Sequence, residues 1–307
     1  MAYELKDRLV IGLASSALFN LDESDKVFHK LGEDAYRKYQ RKHQDDVLDK
    51  GVAYPFIKRL LSLNEIDPDN PLVEVVLLSK NDPDTGLRVM NSIEHYGLNM
   101  TRALFLQGGE PHKYIKALDV SLFLSAHEND VKEAIRTGCS AGQVLDSNIN
   151  DDEEDKELRI AFDFDGVIAD DASETVYAED GIESFLKHEK DKADVPVNEG
   201  PLLGFLRKVS IIQKRELAKS QEDSSYEPKL KVSIVTARSA PSHERVINTM
   251  RAWDIMVNEA FFLGGIEKKK VLEVLNPHIF FDDQKLHLEK SSDVLPSVHI
   301  PFGIRNL

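Results

Sequence analysis

Eight apolar runs of strand length, separated by segments with helical spacing, constrain the fold of this 307-residue chain more than any other feature. They are LVIGLAS (9–15), LVEVVLLS (72–79), ALFLQ (103–107), VSLFLS (120–125), RIAFDFD (159–165), KVSIVTA (231–237), AFFLG (260–264) and HIFFDD (278–283). Runs this rich in Val, Ile, Leu and Phe, without polar alternation, suit strands covered on both faces, as in a parallel sheet. Between them, HERVINTMRAW (243–253) and KKKVLEVL (268–275) carry apolar residues at helical intervals. Strands alternating with helices predict an α/β fold with right-handed crossovers.

The runs fall into two sets on either side of INDDEEDKE (149–157), an acidic stretch with no apolar period that reads as a solvated linker. The expected organisation is therefore a domain over 1–148, the linker 149–157, and a second domain over 158–307. The two sets resemble each other. A shift of 149 carries residues 10–61 onto 159–210, pairing Gly32 with Gly181 and Gly51 with Gly200. A shift of 157 carries 75–131 onto 232–288, where Arg88-Val89-Met90-Asn91 meets Arg245-Val246-Ile247-Asn248. The polar segment QKRELAKSQEDSSYEPK (213–229) absorbs the change of offset. A constant register over segments this long predicts an internal duplication, with a repeat far too long for a solenoid.

Composition narrows the partners. A formal charge of −15 disfavours nucleic acid, whose binding needs a basic surface, and an anionic membrane surface. The single cysteine, Cys139, forms no internal disulfide, and no run approaches the ~20 apolar residues of a membrane span. The start, MAYELKDRLVIGLASS, does not read as a signal peptide, so the expectation is a cytoplasmic protein. The oligomeric state stays open, a homo-oligomer included.

The sharpest chemical signal is AFDFDGVIADD (161–171), in which Asp163 and Asp165 close an apolar run just before Gly166. A strand period of two would turn both carboxylates to one side, where their charges repel. Three further parts follow in order. Thr236 ends the run in SIVTARSAP (233–241), where a hydroxyl and turn N–H groups suit phosphate oxygens. Lys268 opens a helix after a glycine turn in GGIEKKK (264–270), against the helix dipole. PHIFFDDQ (277–284) ends a strand on Asp282 and Asp283, and acidic pairs at two strand ends form an oxygen-rich site suited to Mg²⁺.

In this order the four motifs resemble the haloacid-dehalogenase superfamily of phosphohydrolases. TARSAPSHERVI (236–247), PHIFFDDQ (277–284) and SSALFNLDES (15–24) narrow the likeness to the cytosolic type I 5′-nucleotidase family, over residues 8–300 or so. The resemblance implies a Rossmann-like fold, an aspartyl-phosphate mechanism and a nucleoside monophosphate substrate. In that mechanism Asp163 is the nucleophile, Asp165 the acid and base, and Lys268 a catalytic cation. Thr236, Ala237 and Arg238 hold the phosphoryl group, and Asp163, Asp165, Asp282 and Asp283 supply the Mg²⁺ ligands, with either of the last two as the direct one. A helical cap over about 171–200 would bring Tyr177, Phe185 and His188 to the base. The first half places Ala14, Ser16, Pro111, Ser125 and Ala126 at the offset positions of Asp163, Asp165, Lys268, Asp282 and Asp283. It therefore reads as a degenerate copy that shapes or supports rather than catalyses. The alternatives are a phosphatase for another small phosphomonoester and a nucleotide-binding regulatory protein, although a pure binder has no need of Asp165.

Overall fold

The computed structural model describes residues 4–147 and 151–306, so residues 149 and 150 of the expected linker lie outside the described residues. The chain divides into two compact units, Met1–Cys139 and Ser140–Leu307. Ten strands are described: β1 (Leu9–Leu13), β2 (Val73–Ser79), β3 (Arg102–Phe105), β4 (Leu122–Ser125), β5 (Ala141–Val144), β6 (Leu158–Phe162), β7 (Leu230–Thr236), β8 (Glu259–Phe262), β9 (Ile279–Asp282) and β10 (Ser297–His299). All eight apolar runs form strands. The two strands without a forerunner in the pattern, β5 and β10, are AGQV and SVH, too short and too polar to register as runs.

Within the first unit the strand order is β3-β2-β1-β4, all parallel. Within the second it is β5-β10-β9-β6-β7-β8, parallel except for the antiparallel β5–β10 pair. The core of each unit thus repeats one order, 3-2-1-4 and 8-7-6-9. Strand β5, which the sequence pattern groups with the first half, pairs with β10 in the second unit.

Period-two alternation sorts the second unit's strand residues onto two covered faces. Ala161, Val235 and Phe280 pack on one side with Leu272 and Leu288 of the helices Lys268–Leu275 and Lys285–Ser291. Phe162 and Phe281 stack on the other side with ring centroids 5.1 Å apart, and each lies 6.0 Å from Phe205 of the helix Leu203–Glu222. Each such ring, removed from water, contributes roughly 1.5–3 kcal/mol to folding. With both faces covered, the polar ends of the strands are the places left for chemistry. The described part of the acidic stretch is less free than a solvated linker. Asp155 and Glu157 pair with Arg159, and Lys231 also reaches Glu157, which anchors the segment's end to the second unit.

Candidate active site

Residues at three strand ends of the second unit, Asp163, Thr236 and Gln284, line one cleft of about 490 Å³. Asp163 follows β6, Thr236 closes β7, and Asp282 closes β9, while Lys268 opens the helix Lys268–Leu275. Lys268 is 4% exposed and lies 2.7 Å from both Asp163 Oδ2 and Asp282 Oδ2. The lysine against the helix dipole is thus held by two buried carboxylates.

The charges are unequal in their comfort. Burial pushes Asp163 up to about 7, with repulsion from Asp282 and Asp165 outdoing part of the pull of Lys268. Asp282 is just as buried, yet Lys268 and a contact from His287 Nδ1 at 3.2 Å outweigh desolvation and hold its carboxyl below the usual range. Burial opposes the charge on Lys268, but the two carboxylates hold its ammonium above the ordinary lysine value. For Asp283 the pull of Lys268 is not enough. Burial, with Asp163, Asp282 and Glu174 all repelling it, pushes its carboxyl up to about 10, and neither of its oxygens has a hydrogen-bond partner.

Gly166 explains the approach of Asp283. Its φ of 72° is left-handed, and a Cβ there would lie 2.6 Å from Asp283 Cγ and Oδ2. Both the turn and the packing of the acidic pair against it therefore require the absence of a side chain.

Strand β6 ends at Phe162, one residue before Asp163, so Asp165 lies in the turn rather than on a pleat. The two aspartates line one cleft but meet different partners. Asp163 faces Lys268, whereas both oxygens of Asp165 accept hydrogen bonds from Arg238, from Nη2 at 2.6 Å and Nε at 2.7 Å. Arg238 lines the cleft with a guanidinium only 2% exposed, and its Nη1 also donates to Glu189. Glu189, 0% exposed, accepts as well from Arg245 Nη1 at 2.7 Å and Ser173 Oγ at 2.9 Å. The Arg238 side chain is thus committed to carboxylates, and its backbone N–H donates to Thr236 Oγ1 at 3.2 Å.

One wall of the cleft comes from the helical stretch Ala172–Asp191, which Gly181 breaks at φ 80°. Tyr177 and Phe185 line the cleft with rings edge to face at 6.0 Å. His188 points elsewhere, with Nδ1 3.0 Å from Glu189 Oε1. The motifs gave no sign of Glu189, whose arginine partners lie 49 and 56 residues away, nor of a role for Arg245 within TARSAPSHERVI, and His287 falls just past the end of PHIFFDDQ, five residues from Asp282.

A divalent cation fits this group. Ligand atoms of Asp163, Asp282 and His287 lie within 4.8 Å of one another. Both oxygens of Asp282 are already engaged, Oδ1 by the N–H of Gln284 at 2.8 Å and Oδ2 by Lys268 and His287. The unpartnered oxygens of Asp283 and the surplus of buried carboxylates over lysine are what a hard, oxygen-seeking ion would satisfy.

Fold and site together define an α/β protein whose acidic cleft, at the carboxyl ends of parallel strands, sets paired carboxylates against a buried lysine. Comparison with protein families matches residues 1–307 to the family described as 5′-nucleotidase, and the chain belongs to that family. Human cytosolic 5′-nucleotidase 1B is 35% identical over 290 residues, covering 92% of this chain and 47% of that protein. The chain thus spans about half the length of that relative. No solved structure matches the chain. Among the described residues, no helix is long and apolar enough to cross a membrane.

Proposed function

We propose that the second unit is a Mg²⁺-dependent 5′-nucleotidase of the haloacid-dehalogenase type, acting on nucleoside 5′-monophosphates in the cytoplasm. The observation that carries this reading is Lys268, 2.7 Å from both Asp163 and Asp282, beside a buried Asp283 without partners. Membership of the 5′-nucleotidase family and the name of the human relative support the substrate class and the compartment.

Asp163 attacks the phosphorus and carries the phosphoryl group as an aspartyl-phosphate, dividing one difficult displacement into two easier ones. Lys268 holds the Asp163 carboxylate in place and offsets charge on the phosphoryl oxygens, with Asp282 orienting the ammonium. Thr236 Oγ1 and the Ala237 N–H hold those oxygens from the end of β7. Asp165 protonates the leaving 5′-oxygen and then takes a proton from the hydrolytic water. Arg238 aims that carboxylate through its two-pronged grip. Asp163, Asp283 and the Asp165 carbonyl would hold Mg²⁺, which when bound supplies charge neutralisation for the phosphate. Tyr177 and Phe185 give the base an aromatic wall, the stretch 171–200 serving as a cap.

The first unit is read as a degenerate copy. Its left-handed residues Gly97, Gln107, Gly108 and Asp119 match Asp254, Gly264, Gly265 and Asn276 at the offset of 157, and Gly32 matches Gly181 at 149. The common strand order agrees.

The test is phosphate release from a panel of nucleoside monophosphates and sugar phosphates, with and without Mg²⁺. Fastest Mg²⁺-dependent release from a nucleotide is expected. A panel led by glucose 6-phosphate or glycerol phosphate would overturn the nucleotide assignment.

A further inference from the structure

The first unit encloses a cleft of about 350 Å³ at the ends of its own strands, within the size range of small-molecule sites. The offsets 149 and 157 relate it residue by residue to the cleft of the second unit. One part of the second unit's cleft is kept and another is lost, and both point the same way.

The ring-holding part is kept. Phe28 and Tyr36 stand at the positions of Tyr177 and Phe185, and they too meet edge to face, with centroids at 5.7 Å. Phe28 is 46% exposed at the rim, so an apolar ring is left open to an occupant.

The charged part is gone. Ala14 and Pro111 replace the nucleophile and the lysine. The ionic chain Asp165–Arg238–Glu189 becomes Ser16, Asn81 and Gln40, neutral at every link. Gln40 Nε2 donates to Tyr36 Oη at 3.0 Å, and that hydroxyl donates to Asn81 Oδ1 at 2.9 Å. The chain stops there, because Ser16 Oγ and Asn81 Nδ2, both on residues lining the cleft, are buried and have no partner. Buried polar atoms left unpaired are costly, and a bound group that pairs them recovers that cost.

The groups that would hold a phosphate in this cleft are replaced or already paired. Lys80, the single lysine on the lining, is paired to Asp130, Arg37 is paired to Asp82 and Glu33, Asp25 lies beside His29 and His127, and Pro111 stands where Lys268 would be. We propose that this cleft binds an uncharged nucleoside, a ligand of the class the second unit would release, and excludes nucleoside phosphates. The aromatic pair takes the base, and Ser16 and Asn81 take hydroxyl or ring-nitrogen groups. The choice of a nucleoside rests on reading the second unit as a nucleotidase, whereas the exclusion of phosphate rests on the replacement of Asp163, Lys268, Asp282 and Asp283 by Ala14, Pro111, Ser125 and Ala126.

Calorimetric titration of the 307-residue Asp163→Asn chain with adenosine, inosine, cytidine and their 5′-monophosphates tests this without turnover. Asn81→Leu and Ser16→Val, each added to that background, should weaken nucleoside binding at least tenfold while leaving monophosphate binding and the melting temperature unchanged. In otherwise wild-type protein, the same two substitutions should leave phosphate release at saturating substrate unchanged. The proposal is overturned if no nucleoside binds, if both variants bind nucleoside as before, or if monophosphates lose affinity in parallel. Failure of the nucleotidase reading would instead appear as absent Mg²⁺-dependent phosphate release from the unsubstituted protein, which none of these titrations measures.

Discussion

Replacing Glu189 with Gln should expose how much the second unit depends on its buried ionic chain. The carboxylate is 0% exposed and stands between Arg238 and Arg245, accepting from both, with Ser173 as a third donor. An amide keeps the volume but removes the charge and turns an NH₂ toward one guanidinium. Removing one partner of a buried charge pair costs about 3–5 kcal/mol, because the remaining ions stay desolvated without compensation. At about 2–4 °C per kcal/mol for a unit of this size, the melting temperature should fall by roughly 6–20 °C. Recovery should follow when the neighbouring charges also go. Glu189→Gln combined with Arg238→Asn and Asp165→Ser recreates the neutral chain of Gln40, Asn81 and Ser16, and should cost less than the sum of the single changes. Scanning calorimetry and circular dichroism on the set provide the measurement. An unchanged melting temperature for Glu189→Gln, or strictly additive losses in the triple variant, would refute the reasoning. The acid limb follows with a definite sign. Burial alone would raise the carboxyl, but Arg238 and Arg245 outweigh it and hold it below its ordinary 4.5. A depressed carboxyl contributes stability above its unfolded value and loses it as pH falls through the folded one. The gap between the native protein and Glu189→Gln should therefore be full near neutrality and close below about pH 4.5.

Three further expectations can be checked directly. Asp163→Asn should abolish phosphate release while preserving the circular dichroism spectrum, since it removes the proposed nucleophile and little volume; appreciable Mg²⁺-dependent turnover would overturn that proposal. Gly166→Ala should destabilise by about 1–3 kcal/mol from the left-handed backbone alone, and its Cβ, 2.6 Å from Asp283, should also displace that carboxylate and lower kcat. Mg²⁺ should raise the melting temperature in proportion to the logarithm of its concentration, by about 2.7 kcal/mol of stability at a hundredfold excess over Kd. Asp283→Asn should lose that rise while Asp282→Asn keeps most of it, and the reverse order would exchange their roles.

What the sequence determined by itself was local. Eight strands announced themselves because parallel strands covered on both faces need unbroken apolar runs, a property readable within seven or eight residues. The candidate site positions stood out for the same reason, since each sits at the end of such a run or the start of a helix. The short strands β5 and β10 escaped because three or four mixed residues carry no period, and pairing with neighbouring strands is what makes them strands. Tertiary structure alone decided which charges meet. Asp165 and Arg238 are 73 residues apart and Arg238 and Glu189 are 49 apart, so no spacing rule announces that the arginine grips two carboxylates. It decided, too, that Asp163 and Asp165 face different partners, because the strand stops at Phe162 and the turn at Gly166 aims each side chain separately. Adjacent in sequence and alike in chemistry, Asp282 and Asp283 are told apart only by surroundings. One turns to Lys268 and His287, and the other to the bare face of Gly166, where neither of its oxygens has a hydrogen-bond partner. Electrostatic energy depends on distance and burial, and neither is a property of position along the chain.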